Sequence, residues 1–154
     1  MDSDHARKSE MKRAARMISA GIDRLLTMPG EKPYPTCVRM MIEVADVWSE
    51  CDEHAKVEHW LKKAEVLAKV FMPWPRCEIL NIWHSLHAHY TRVGDYAKAV
   101  ECAVQSAEFA SVNFGIAHNL HIEKRKTLAK SLFNAGRTDE AIAVSLETEQ
   151  LERA

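Results

Sequence analysis

Histidines are the side chains of this sequence best placed to do chemistry. His84, His87 and His89 lie close together beside Trp83 and Tyr90, and His118 and His121 repeat the three-residue spacing of His84 and His87. On a helix that spacing puts two imidazoles one turn apart on one face, where both can ligate a metal ion. Zinc asks for a third or fourth ligand, and the sequence nominates none. No H-E-x-x-H occurs, and Cys37, Cys51, Cys77 and Cys102 fall in none of the C-x₂-C spacings that hold zinc. His84 and His87 therefore define an alternative reading, a metal or small-ligand sensor, beside the plainer one of interior or surface histidines. Nucleophilic and acid–base chemistry find less support. There is no G-x-S-x-G, no glycine-rich loop opening a helix and no protease-like cysteine signature, and the carboxylates are scattered at ordinary helix-pair spacings. No catalytic residue, resident metal or cofactor is assigned, and enzymatic activity is not expected.

These side chains must be positioned by helices. The 154 residues carry a net charge of −1 with only 5 glycines and 5 prolines, which suits one all-α domain spanning 1–154 and argues against a globally basic nucleic-acid binder. The longest apolar run, Ala141 to Leu146, is far too short to span a membrane, and Met1 to His5 opens no apolar signal segment. The scattered cysteines and this N-terminus lead to the expectation of a cytoplasmic protein.

Apolar periodicity predicts an N-terminal helix over 6–28, with Ala14, Met17, Ile18, Gly21, Ile22, Leu25 and Leu26 on one stripe and Asp2, Ser3 or Asp4 as its cap. The opposite face carries Arg7, Lys8, Lys12, Arg13 and Arg16, which reads as a solvated face or a contact for phosphate or an acidic partner. Pro29 to Pro35 breaks the chain. A helix pair follows over 36–71, with Thr36 as cap, Val38, Met41, Ile42, Val44, Ala45 and Trp48 inward, and a turn at Cys51-Asp52-Glu53. Pro73-Trp74-Pro75 echoes Pro33-Tyr34-Pro35 and opens a second pair over 76–112, turned at Gly94-Asp95. A third pair covers 116–153 and turns at Gly136-Arg137.

The three pairs repeat. Trp83, Leu86, His87, Tyr90, Gly94 and Ala99 become Met41, Val44, Ala45, Trp48, Asp52 and Val57 at a step of 42 backwards, and Arg125, Leu128, Ala129, Leu132, Gly136 and Ala141 at the same step forwards. Only Arg125 breaks an apolar column, and Ala15 extends the Val57 column into the first helix. Trp83, Leu86, Tyr90 and Ala99 fall on the spacing of the tetratricopeptide pattern W-x₂-L-G-x₂-Y…A-x₃-F, with His87 in place of its small residue and Ala103 in place of its large one. The stretch resembles a tetratricopeptide unit. The step exceeds that family's common length of about 34 and is similar to its longer-helix variants, such as those in kinesin light chains and some bacterial regulators.

The resemblance implies a right-handed stack of antiparallel helix pairs, about three pairs plus the N-terminal helix, in which each pair buries its face on its neighbours. It also implies a concave groove lined by the first helix of each pair. Carried over by register, the lining is Arg39, Ile42 and Asp46, then Asn81, His84 and Arg92, then Lys126, Lys130 and Asn134, with Ala88 and Phe133 as apolar anchors. The drift towards basic residues suits an acidic or carboxylate-terminated ligand. The carboxylate clamp of some co-chaperones has no counterpart, since Ile42 and Asp46 stand where Lys and Asn are needed. Ile142, Val144 and Leu146 of the last helix cannot all face the preceding pair, which leaves an association face for a partner helix or a second copy. The expected function is a non-enzymatic protein–protein interaction module (adaptor, regulatory subunit or chaperone) with a protein or peptide partner and no role at membranes; a nucleic-acid role through the basic face of the first helix ranks third, behind the sensor reading.

Overall fold

A computed structural model describes residues 2–71 and 78–154, so the predicted linker Pro73-Trp74-Pro75, with Arg76 and Cys77, lies outside the described residues. Among the described residues there are seven helices and no strand: α1 (Asp2–Thr27), α2 (Tyr34–Glu50), α3 (His54–Phe71), α4 (Glu78–Val93), α5 (Tyr96–Phe114), α6 (Asn119–Asn134) and α7 (Thr138–Arg153). The chain divides into two compact units, 1–82 and 83–154, with the division inside α4.

One turn recurs at all three hairpins, and it fixes the period. Asp52, Gly94 and Gly136 take positive φ values of 60°, 81° and 79°. Behind them, the amides of Glu53, Asp95 and Arg137 donate to the carbonyls of Trp48, Tyr90 and Leu132 at 3.0, 2.9 and 2.9 Å. This left-handed residue followed by a bond back across the helix end satisfies carbonyls that the helix itself leaves orphaned. The next helix starts identically each time, with Val57, Ala99 and Ala141 donating to Glu53, Asp95 and Arg137. Trp48, Tyr90 and Leu132 are all buried, as are Val57, Ala99 and Ala141. Lys56 sits 4.0 Å over the Trp48 ring and Lys98 sits 5.4 Å over Tyr90, one step apart. The repeat is thus written in backbone and in packing.

In the first unit α1 packs on α2, and α2 on α3. Ile22, Val38, Met41, Val44 and Leu61 are essentially sealed from solvent, each worth about 1.5–3 kcal/mol of burial. Ala15 is fully buried, as the Val57 column predicts, whereas Ala14 is exposed and Met17 is 69 % exposed. The predicted stripe is therefore too wide: α1 packs along α2, with Asp23 reaching Lys63 of α3 at 3.6 Å, and Ala14 and Met17 lie off that contact. The start of α1 at Asp2 puts Ser3 and Asp4 inside its first turn, where Asp4 suits the helix dipole but neither caps. Thr36 is not a cap either. α2 begins two residues earlier, after Pro33, with Pro35 in the first turn, where its missing N–H costs nothing.

Three of the five basic residues on α1 pair with acids of the neighbouring hairpin, while Arg13 and Arg16 are exposed. Arg7 reaches Glu50 at 3.2 Å, Lys8 reaches Asp52 at 3.4 Å and Lys12 reaches Glu53 at 3.0 Å. The acids lie at the end of α2 and in the α2–α3 turn, so these solvent-accessible pairs orient α1 on that hairpin while adding little stability. Lys12 holds the Glu53 carboxyl below the usual range through its hydrogen bond and its charge.

In the second unit α5 packs on α6 and α6 on α7. Val100, Leu132 and Ala141 form a core cluster, with Val104, Leu128, Ala135 and Val144 packed against it. Trp83 meets Phe109 edge-on at 5.7 Å. Arg125, the residue that breaks the apolar column, is tied to α7 by bonds to Glu147 at 2.6 Å and Thr148 at 3.1 Å. The predicted helix start at 116 moves to Asn119, because the His118 ring caps the helix by accepting from the Leu120 amide at 3.1 Å.

Candidate protein-docking groove

The α6–α7 hairpin carries an open groove of about 640 Å³ in the second unit. Lys126, Lys130 and Phe133 recur at helical spacing along α6 and form one wall; Ile142, Leu146, Glu149 and Glu152 of α7 form the other. Between them lie Ala129, Ala141 and Thr148, all buried, with Ser145 beside them. Phe133, Ile142 and Leu146 are 62 %, 53 % and 56 % exposed. Because the two helices run antiparallel, Phe133 and Ile142 share one end while Lys126 reaches Glu152 at 3.2 Å near the other. Glu149 also lies 3.8 Å from Arg153. The floor is small and apolar, one end is greasy and the other is charged.

Register shows what such a surface holds. Ile142, Ser145, Leu146 and Glu149 lie one step of 42 beyond Val100, Ala103, Val104 and Ala107. On α5 those positions are buried or half-buried, and Val100 and Val104 share a core with Leu128 and Leu132 of α6 and with Ala135 just beyond it. The same strip on α7 stays open. The groove is the surface that α6 covers on the preceding hairpin, repeated once more.

Of the predicted lining, Lys126 and Lys130 belong to this groove, and Phe133 supplies its largest apolar side chain. Arg39 and Asp46 on α2, Asn81, His84 and Arg92 on α4, and Asn134 on α6 are exposed, while Ile42 is half-buried; none of them lines the groove. Desolvation, then the charges of Glu50 and Glu43, push the Asp46 carboxyl above the usual range, so this part of α2 is acidic in character. Val144 leaves the predicted association face: it packs on the Val100–Leu132–Ala141 cluster, and only Ile142 and Leu146 remain outward. Ala129, Ser145, Thr148, Glu149 and Glu152 also line the groove, beyond the residues that the repeat register points to. Their signal is the small side chains at 129, 141 and 145, on the columns of Ala45, Ala99 and Ala103.

The histidines are mostly engaged in holding the fold. The His87 ring bonds the Ser131 hydroxyl across α4 and α6, so its larger side chain occupies the tight slot by recruiting a polar partner. Burial first, then the charges of His84, Lys124 and Lys130, hold its pKa below the ordinary value. The His121 ring lies 2.7 Å from the Ile116 carbonyl, and His118 is spent on its cap. His84 is exposed. Among the described residues no three metal-ligating side chains gather, and no helix is long and apolar enough to cross a membrane.

The architecture is that of a tetratricopeptide-like helical repeat. Two solved structures share it across 94 % of this chain and 68 % of their own: a Podosopora anserina protein described as a kinesin light chain with nearly identical TPR-like repeats, at 15 % identity and a TM-score of 0.74, and its Q17M variant, at 14 % and 0.73. No protein-family model and no curated sequence matches the chain.

Proposed function

We propose that this chain is a non-enzymatic interaction module, of adaptor, regulatory-subunit or chaperone type, that takes an amphipathic helix of a protein partner into the α6–α7 groove. The observation that carries this reading is the register of Ile142, Ser145, Leu146 and Glu149 with the α5 strip that α6 covers. A helix-in-groove contact draws its energy from a few apolar anchors, here Phe133, Ile142 and Leu146, with charged walls setting orientation. Tetratricopeptide-like folds commonly mediate protein–protein contacts, and the neighbours support that class. The predicted acidic ligand fits the groove less well than a helix of mixed charge, since Lys126 is already paired with Glu152 and Glu149 lines the opposite wall.

The test is selection of helical peptides from a displayed library against the intact chain, followed by titration on Leu146→Glu. Buried apolar anchors at interfaces are typically worth about 1–3 kcal/mol, so the variant weakens the selected peptides by roughly tenfold or more. Peptides that bind the variant and the parent equally well would remove the groove as the docking site.

A further inference from the structure

We infer that the partner is the α6–α7 hairpin of a second copy of this chain, laid face to face on this one about a two-fold axis that runs along the groove. This rests on the α6–α7 groove being the docking surface, and puts the matching hairpin face of a second copy where the reading above has a single helix.

The groove is polar in two directions. Along its length it passes from Phe133 and Ile142, through Lys130 and Leu146, to Lys126, Glu149 and Glu152. Across its width the α6 wall bears the lysines and the α7 wall the glutamates. A closed homodimer presents the same patch on both subunits, so the patch must complement itself under the symmetry operation. A two-fold axis perpendicular to the groove reverses its length. It would press the Phe133 end of one copy on the Lys126 end of the other and strip charges of water against apolar surface. An axis along the groove keeps each end in place and exchanges the walls.

With that axis Lys126 and Lys130 face Glu149 and Glu152 of the second copy, and the reverse pairing follows by symmetry. Phe133, Ile142 and Leu146 from both copies close over the floor of Ala129, Ala141 and Thr148. The charges now paired within one chain, Lys126 with Glu152 and Glu149 with Arg153, are solvent-exposed. They gain partners across the interface without being stranded. The net charge of −1 sets no general repulsion between copies. Opposite-charge walls steer the encounter and fix its register, while the apolar end supplies the affinity.

The experiment is sedimentation equilibrium on the full chain and on three variants, with circular dichroism as a check that each stays helical. The parent chain sediments as a dimer. Leu146→Glu, at an exposed position, raises the dimer dissociation constant by about tenfold or more. Reversal of the basic wall (Lys126→Glu with Lys130→Glu) and reversal of the acidic wall (Glu149→Lys with Glu152→Lys) each leave monomers where the parent is dimeric. An equimolar mixture of the two reversed chains restores a dimer, because each altered wall then meets an opposite charge. Failure of that mixture to associate, or a dimer indifferent to Leu146→Glu, overturns the inference. A parent chain that stays monomeric but still binds the selected peptides overturns the second copy and leaves the docking reading intact. A monomer that binds none overturns both.

Discussion

The same substitution, glycine to alanine, should change stability in opposite directions at two places in this chain. Gly136 has φ 79°, and a Cβ built there meets nothing within 4 Å, so any cost is torsional. Placing an L-residue in the left-handed region costs about 1–2 kcal/mol, offset by about 0.4–1 kcal/mol from the lower entropy of the unfolded chain. The net expectation is a loss of up to about 1.6 kcal/mol, centred near about 0.8 kcal/mol. Gly21 lies inside α1, where its Cβ would meet only the flexible end of Met40 at 4.0 Å. Alanine in a helix interior is better than glycine by about 0.5–1 kcal/mol. Urea unfolding followed by far-ultraviolet circular dichroism reads both. Gly136→Ala lowers the midpoint by roughly half a molar or so and Gly21→Ala raises it by a comparable amount. Gly94→Ala, in the same turn one repeat earlier at φ 81°, should track Gly136→Ala. A gain of stability at Gly136 would mean that the helix runs on through the turn, and the repeated hairpin would be lost with it.

Other consequences follow from single contacts. Leu132→Ala empties a buried position between Val100 and Ala141 and should cost about 2–5 kcal/mol in chemical denaturation. The depressed pKa of His87 means that the unfolded chain takes up the proton more readily than the folded one. Stability is therefore full above the usual histidine range and falls as pH drops through it, and His87→Gln should flatten that decline in thermal melts between about pH 7 and 5. The Glu53 carboxyl, held low by Lys12, contributes stability above its ordinary range that is lost as pH falls through its depressed value. Lys12→Met should make acid unfolding set in at a pH closer to that of an ordinary glutamate, read by circular dichroism.

Where a feature depends on periodicity it was legible in the residues alone. The turns at Asp52, Gly94 and Gly136, and the small residues at Val57, Ala99 and Ala141, recur because each hairpin solves one steric problem in one way. Features set by a distant neighbour were not. The α1 basic run reads as a solvated face until α1 lies across the α2–α3 turn and its acids become visible. Thr36 loses to Pro33-Tyr34-Pro35, since prolines at a helix start permit an earlier beginning. Val144 and Leu146 are two residues apart and so point to different sides of α7. One closes a core and the other stays in solvent. The groove itself was half visible: its lysines and Phe133 were named from register, while its acidic wall required α7 to be set beside α6.

The central proposal is that the α6–α7 groove is the surface at which this repeat meets its partner. Amide shift mapping of the ¹⁵N-labelled chain with a selected helical peptide tests that directly. The largest changes are predicted at Lys126, Lys130, Phe133, Ile142 and Leu146. Changes centred on Arg39, Asp46 and Asn81, with α7 silent, would contradict it.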